Sequence, residues 1–136
     1  MEISVSYRGG VQFEATARGH QVVCDQPVEN GGGDAGMTPP EFLLASLGTC
    51  VAFYAAQYLR ARSLATDGFE VRVSAEKATG PARLAAFHIE IRVPGLEDER
   101  HQAGVLRAAK SCSIHHTLSQ PPTIEMALNT DVAVRA

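Results

Sequence analysis

The stretch Thr38-Pro-Pro-Glu-Phe-Leu-Leu-Ala-Ser-Leu-Gly-Thr-Cys50 decides how this chain folds. Thr38 can serve as an N-cap, Pro39 occupies the first helical position, and Glu41 falls at N3. That is a Thr-x-x-Glu capping box, with proline where its missing N–H is not needed. A helix is expected from Pro39 to about Arg62, with Arg60 and Arg62 favourable at its C-terminal end. Phe42 to Leu59 carries no charge. The segment approaches the length of a membrane span. Ser46, Gly48, Thr49, Cys50 and Gln57 dilute its hydropathy, however, and no basic cluster flanks it. A central core helix, apolar on most of its faces, is the expectation.

Outward from that helix the period changes. Upstream, Ile3, Val5 and Tyr7 alternate, as do Val11, Phe13, Ala15 and Ala17, with Gly9-Gly10 between the two runs as a hairpin signal. Gln21 to Cys24 adds a third short strand, so the chain opens as a three-stranded meander. Asn30 to Gly36 is glycine-rich and reads as a flexible loop. Downstream, Phe69, Val71, Val73 and Ala75 alternate, then Phe87, Ile89, Ile91 and Val93, with Thr79-Gly80-Pro81 as the turn. Leu96 to Ser111 reads as a second helix, acidic in its first turn and with Lys110 in its last. Ile114 to Leu118 reads as a short helical turn, broken by Pro121-Pro122, and Thr123 to Val134 as a last alternating strand. The class is α+β. A helix apolar nearly all round needs more cover than one small sheet provides, so a homodimer with helices packed between the sheets is expected.

At 136 residues the chain fits a single domain spanning residues 1–136, and 45% apolar residues suffice for a core. The net charge of −3 and the scattered Lys and Arg residues argue against nucleic-acid binding. The first residues lack the pattern of a signal peptide. Three cysteines at irregular spacing point to a reducing compartment, and a cytoplasmic location is expected.

Chemistry concentrates at the thiols. Cys50 is either a small buried hydrophobe or a peroxide-reacting thiolate. Desolvation alone raises a thiol's pKa, and Cys50 lies too far along its helix for the N-terminal dipole to help. An arginine or histidine from elsewhere in the chain, or from a partner chain, is therefore expected to activate it. Cys112 is either an idle helix-end cysteine or a thiol that resolves a sulfenic acid on Cys50. His115 and His116 follow it, and one of them can share its helix face. An imidazole there could polarise the thiol. Cys-x-x-His is a weak metal signal, since a closed zinc site needs four ligands, and no metal or other cofactor is expected. Cys24 reads as a strand-end core residue. Glu41 is the capping carboxylate and can pair with an arginine of the N-terminal meander, Arg8 or Arg18 in preference to Arg83.

Gly36-Met-Thr-Pro-Pro-Glu-Phe-Leu-Leu-Ala-Ser-Leu-Gly-Thr-Cys50, together with Ser111-Cys112-Ser-Ile-His-His-Thr-Leu118, resembles the two cysteine segments of the OsmC/Ohr family, the osmotically inducible and organic-hydroperoxide-resistance proteins. The order of strands and helices is similar over essentially the whole chain. The resemblance implies an intertwined homodimer with its active sites at the subunit interface. It implies a thiol-dependent peroxidase that uses no metal or flavin, with Cys50 peroxidatic and Cys112 resolving, re-reduced by a dithiol such as a lipoyl group or by a small thiol. Family members place a glutamate directly after the opening proline, paired with an N-terminal arginine. Here Pro40 holds that position, and Glu41 lies about 100° further round the helix. The chain is thus nearer the branch with Gly-Met-x-Pro-x-Glu before the cysteine, with Glu41 and Arg18 as the corresponding pair. A non-enzymatic dimer that binds a small apolar molecule or a metal at the interface is the alternative reading. A purely structural role for both cysteines would require them to lie too far apart for a disulfide.

Overall fold

The computed structural model describes residues 1–131. The chain runs β1 (Ser4–Gly9), β2 (Gln12–Ala17), β3 (His20–Cys24), a 3-10 turn at Val28–Asn30, α1 (Pro39–Ala61), β4 (Glu70–Ala78), β5 (Arg83–Arg92), α2 (Glu99–Ala109) and α3 (Ser113–Ser119). The expected α+β order is present. β1, β2 and β3 form an antiparallel meander in that order, and β4 and β5 form a separate antiparallel hairpin.

The capping box at the start of α1 forms as the sequence dictates. Glu41 accepts the Thr38 backbone N–H at 3.1 Å and the Thr38 hydroxyl at 2.7 Å. Leu47, Val51, Ala55 and Leu59 then recur every four residues and are all buried. That stripe faces the β4–β5 hairpin, whose inward side chains Val71, Val73, Phe87, Ile89 and Ile91 pack against it. The alternation of these strands is the half-buried pattern of an antiparallel pair with one wet face. Gly48 sits where α1 comes nearest to the hairpin: a Cβ there would lie 3.1 Å from Val73 Cγ2.

α2 covers the other end of α1. It begins at Glu99 and not at Leu96, because Asp98 takes the N-cap and accepts the Arg100 N–H at 2.8 Å. Leu96 is instead held in a turn, its N–H donating to the Val93 carbonyl at 3.3 Å. The helices meet closely at Gly104, where the Tyr58 ring lies against the bare backbone and would overlap any added Cβ. Tyr58 also bonds its hydroxyl to His101 Nδ1 at 3.1 Å, and Arg62 stacks over its ring, 3.7 Å from the centroid.

The glycine-rich segment Asn30–Gly36 is not a free loop. It wraps the carboxylate of Asp25, the one buried charged residue among those described. Asp25 accepts N–H groups from Gln26 at 2.8 Å, Gly33 at 3.1 Å and Ala35 at 3.0 Å, and the Gln12 side chain at 3.4 Å. The N–H groups of Ala35 and Gln26 do most to hold this carboxyl below its ordinary pKa, outweighing desolvation. The turn delivers the chain to Thr38 through a bridge between Cys24 and Met37.

The expected final strand is absent from the described residues. Pro121 to Asp131 pairs with no strand of its own chain. Ile124, Met126 and Leu128 alternate as a strand would, but stand 78%, 94% and 87% exposed. A strand needs a neighbouring edge to take its N–H and C=O groups, and no edge of either sheet receives this segment. Residues 132–134 of the expected strand lie outside the described residues.

Candidate active site

α1 carries Cys50 on its fourth turn, one residue before the buried Val51, and the thiol sits half-buried beside the core. Cys112 is fully buried in the same cluster of apolar side chains, with Leu47, Val51 and Ala109. Cys112 is also the N-cap of α3, its Sγ accepting the His115 N–H at 3.3 Å. Sulfur replaces the oxygen that usually fills this role. The cap turns the start of α3 towards Cys50: the Cys50 Sγ lies 3.9 Å from Ser113 Oγ, and Cys50 packs against the cluster that holds Cys112. All three cysteines are free thiols, and Cys24 stands apart on β3, opposite Phe13.

The two facing thiols are shifted in opposite directions. Desolvation pushes Cys50 up, but hydrogen bonds from the Cys112 thiol, the Ile114 N–H, and the Ser113 hydroxyl and N–H outweigh it, so Cys50 falls below the ordinary thiol value. Cys112 is raised, first by burial and then because it donates to Cys50. The arrangement stabilises a thiolate on Cys50 and keeps the proton on Cys112.

Within one chain the groups that lower Cys50 are a neighbouring thiol, a serine and two backbone amides, and no arginine or histidine of the same chain is among them. No sequence signal identifies such amides, because they come from a turn 63 residues away. His115 contributes its backbone N–H to Cys112.

The Glu41–Arg18 pair does not form within this chain. Glu41 is engaged by Thr38, whose hydroxyl and N–H hold its carboxyl below the usual value. Arg18 occupies the β2–β3 turn with φ +50°, and the ion pairs among the described residues are Arg8–Glu14, Arg72–Glu70 and Arg100–Asp98. Glu41, the residue after Pro40, falls at N3, where it closes the capping box. Among the described residues no three His, Cys, Asp or Glu side chains converge as a metal-ligand set.

With this geometry in hand, comparison places the chain among known proteins. The sequence model of the family described as OsmC-like protein matches residues 31–127. No curated protein matches the chain. Three of the solved structures that share the fold illustrate it. One is a Psychrobacter arcticus 273-4 protein, described provisionally as an osmotic stress induced and detoxification response protein (23% identity, TM-score 0.75, covering 85% of each chain). The second is an OsmC like protein from Mycoplasma pneumoniae (21% identity, TM-score 0.70, covering 88% of this chain and 87% of that one). The third is an organic hydroperoxide resistance protein OsmC from Legionella pneumophila (18% identity, TM-score 0.60, covering 87% of this chain and 89% of that one).

Proposed function

We propose that this chain, which belongs to the OsmC-like family, is a thiol-dependent peroxidase that reduces organic hydroperoxides or hydrogen peroxide through Cys50 and Cys112. The observation that carries the reading is the packing of Cys50 against the core cluster that holds Cys112, with Cys50 biased towards thiolate and Cys112 towards thiol.

The chemistry follows from that bias. The Cys50 thiolate attacks the terminal oxygen of ROOH, the O–O bond breaks, and RO⁻ leaves to take up a proton as ROH. Cys50 is then a sulfenic acid. The Cys112 sulfur attacks the Cys50 sulfur; a disulfide forms, and hydroxide leaves with the Cys112 proton as water. A dithiol or small-thiol reductant returns both cysteines to thiols and is itself oxidised to a disulfide. Because Cys112 is buried and keeps its proton, peroxide meets the half-exposed Cys50 first.

The working unit in this reading is a homodimer. One face of the β1–β3 meander presents Val5, Ala15 and Val22 in one row and Tyr7, Phe13 and Cys24 in the next. Ile3, Val5 and Tyr7 are 61–65% exposed there. Phe53 on α1 is exposed as well, and the alternating Ile124–Leu128 segment lacks a strand partner. These unpaired apolar surfaces support association with a second copy. Three free thiols support a cytoplasmic location.

The commitment of Glu41 to the helix cap favours a second reading, a non-enzymatic dimer that binds a small apolar molecule. One experiment separates the two. Reduced protein is treated with one equivalent of cumene hydroperoxide, its thiols are counted and its peptides mapped. A Cys50–Cys112 disulfide with Cys24 still free, lost in Cys50→Ser, is expected. Three unreacted thiols would favour the binding protein.

A further inference from the structure

A cavity of about 580 Å³ opens beside the thiol pair, between α1, β5 and α3. Its size falls in the range of small-molecule sites, about 300–1,000 Å³. Leu43, Leu47, Leu84, Phe87, Ile89 and Leu118 make its walls apolar. The polar groups on its lining are few. Ser119 already donates its hydroxyl to the His115 carbonyl at 2.9 Å, and His115 lies beside it. The remaining one is the charged side chain of Arg83.

Arg83 is placed as a ready anion anchor. Its Nη1 donates to the carbonyls of Thr79 and Pro81, both at 3.0 Å, which fixes the guanidinium against the β4–β5 turn. Nε and Nη2 remain for a further partner, and none of the ion pairs among the described residues involves Arg83. A second hollow of about 350 Å³ borders the same guanidinium and brings Lys77 to it, on the neighbouring strand. No Asp or Glu lines either hollow. An apolar chamber with a fixed guanidinium and an ammonium at one end complements one kind of molecule, an apolar chain with an anionic head. A guanidinium offers a carboxylate two parallel N–H donors, which an ammonium cannot match.

We propose that this cavity binds an acyl chain ending in a carboxylate, with the chain against Leu47, Phe87 and Leu118 and the carboxylate on Arg83. No thiol lines the cavity. The site therefore stands apart from the peroxide chemistry, although Leu47 lies one turn before Cys50 and His115 donates its backbone N–H to Cys112.

Calorimetric titration of the reduced protein with decanoate, 1-decanol and decyltrimethylammonium, each below its micelle concentration, tests the site. Decanoate is expected to bind at least about ten-fold more tightly than decyltrimethylammonium. Arg83→Gln is expected to weaken decanoate by about ten-fold or more, the range for a charge-assisted hydrogen bond, and to leave 1-decanol unchanged. Each methylene added between octanoate and decanoate should tighten binding by about four-fold. Leu118→Glu should block both decanoate and 1-decanol, with the fold checked by circular dichroism. Cys50→Ser should bind decanoate as the wild type does, so this result stands or falls apart from the peroxidase reading. Equal affinity for all three head groups would overturn the proposal, as would an Arg83→Gln variant that binds decanoate normally. Arg83-dependent binding to phosphatidylglycerol vesicles without binding of free decanoate would move the recognition to a membrane surface and also overturn it.

Discussion

Replacing Cys112 with alanine removes a donor from the Cys50 thiolate and leaves the Ser113 and Ile114 donors in place. A hydrogen bond to a charged group contributes about 1.5–3 kcal/mol. A thiol is a weak donor, and the half-exposed Cys50 site is partly screened by water. The loss therefore falls near the lower end, about 1.4 kcal/mol, or roughly ten-fold in the thiolate population. The assay is alkylation of Cys50 by iodoacetamide against pH, in a Cys24→Ser background so that only one other thiol reports. Below the midpoint of the profile, Cys112→Ala should react about ten-fold more slowly than the parent, and the midpoint should move to higher pH. Cys112→Ser keeps a hydroxyl donor in the same place and should stay close to the parent. Equal profiles for the parent and Cys112→Ala would refute the argument, because the hydrogen bond between the thiols would then contribute nothing to Cys50.

Gly104→Ala should destabilise the fold by about 1–3 kcal/mol in thermal unfolding. Alanine gains about 1 kcal/mol of helix propensity, against about 1–3 for overpacking the Tyr58 ring and about 1 for losing its bond to His101. In a Tyr58→Ala background the same change should become neutral or stabilising, since the ring it strikes is gone. Glu41→Ala should lower the unfolding midpoint through the lost cap, and Cys50 alkylation should stay at the parent rate, because the carboxylate bonds to Thr38 and not to the thiol site. Asp25→Asn should speed hydrogen exchange at the Gly33 and Ala35 amides. The Asp25 carboxyl is depressed in the fold. Its contribution is therefore complete above its unfolded pKa, about 3.9, and is lost as the pH falls through the lower folded value. Acid unfolding of Asp25→Asn should be correspondingly less steep in that window.

The readable parts of this chain are those governed by neighbours in sequence. The capping box, the four-residue stripe of α1 and the two alternating hairpins depend on residues within a few positions of one another, and their periods are visible without a structure. The boundary of α2 moved because Asp98 competes with the acidic first turn read from Leu96. The 123–131 segment shows the limit of periodicity. Alternation states what a segment is suited to, but not whether an edge is there to receive it. The site divides along the same line. Cys50 and Cys112 stand out in the sequence, but the groups that set their protonation are main-chain amides near Ser113 and the partner sulfur, which only tertiary packing assembles. Glu41 could be read from the sequence as the capping carboxylate, and the structure shows it in that role.

Gly48 acts as a spacer of zero thickness. Because α1 rests on Val73 there with no side chain between them, the height of the helix above the hairpin is set two residues from Cys50. A methyl at position 48 would have to lift α1 or push Val73 aside by a few tenths of an ångström, and the rigid helix would carry Cys50 with it. The tolerance of the thiol pair is therefore machined at a position that takes no part in its chemistry, and sequence drift at that residue would detune the site while the fold stayed intact.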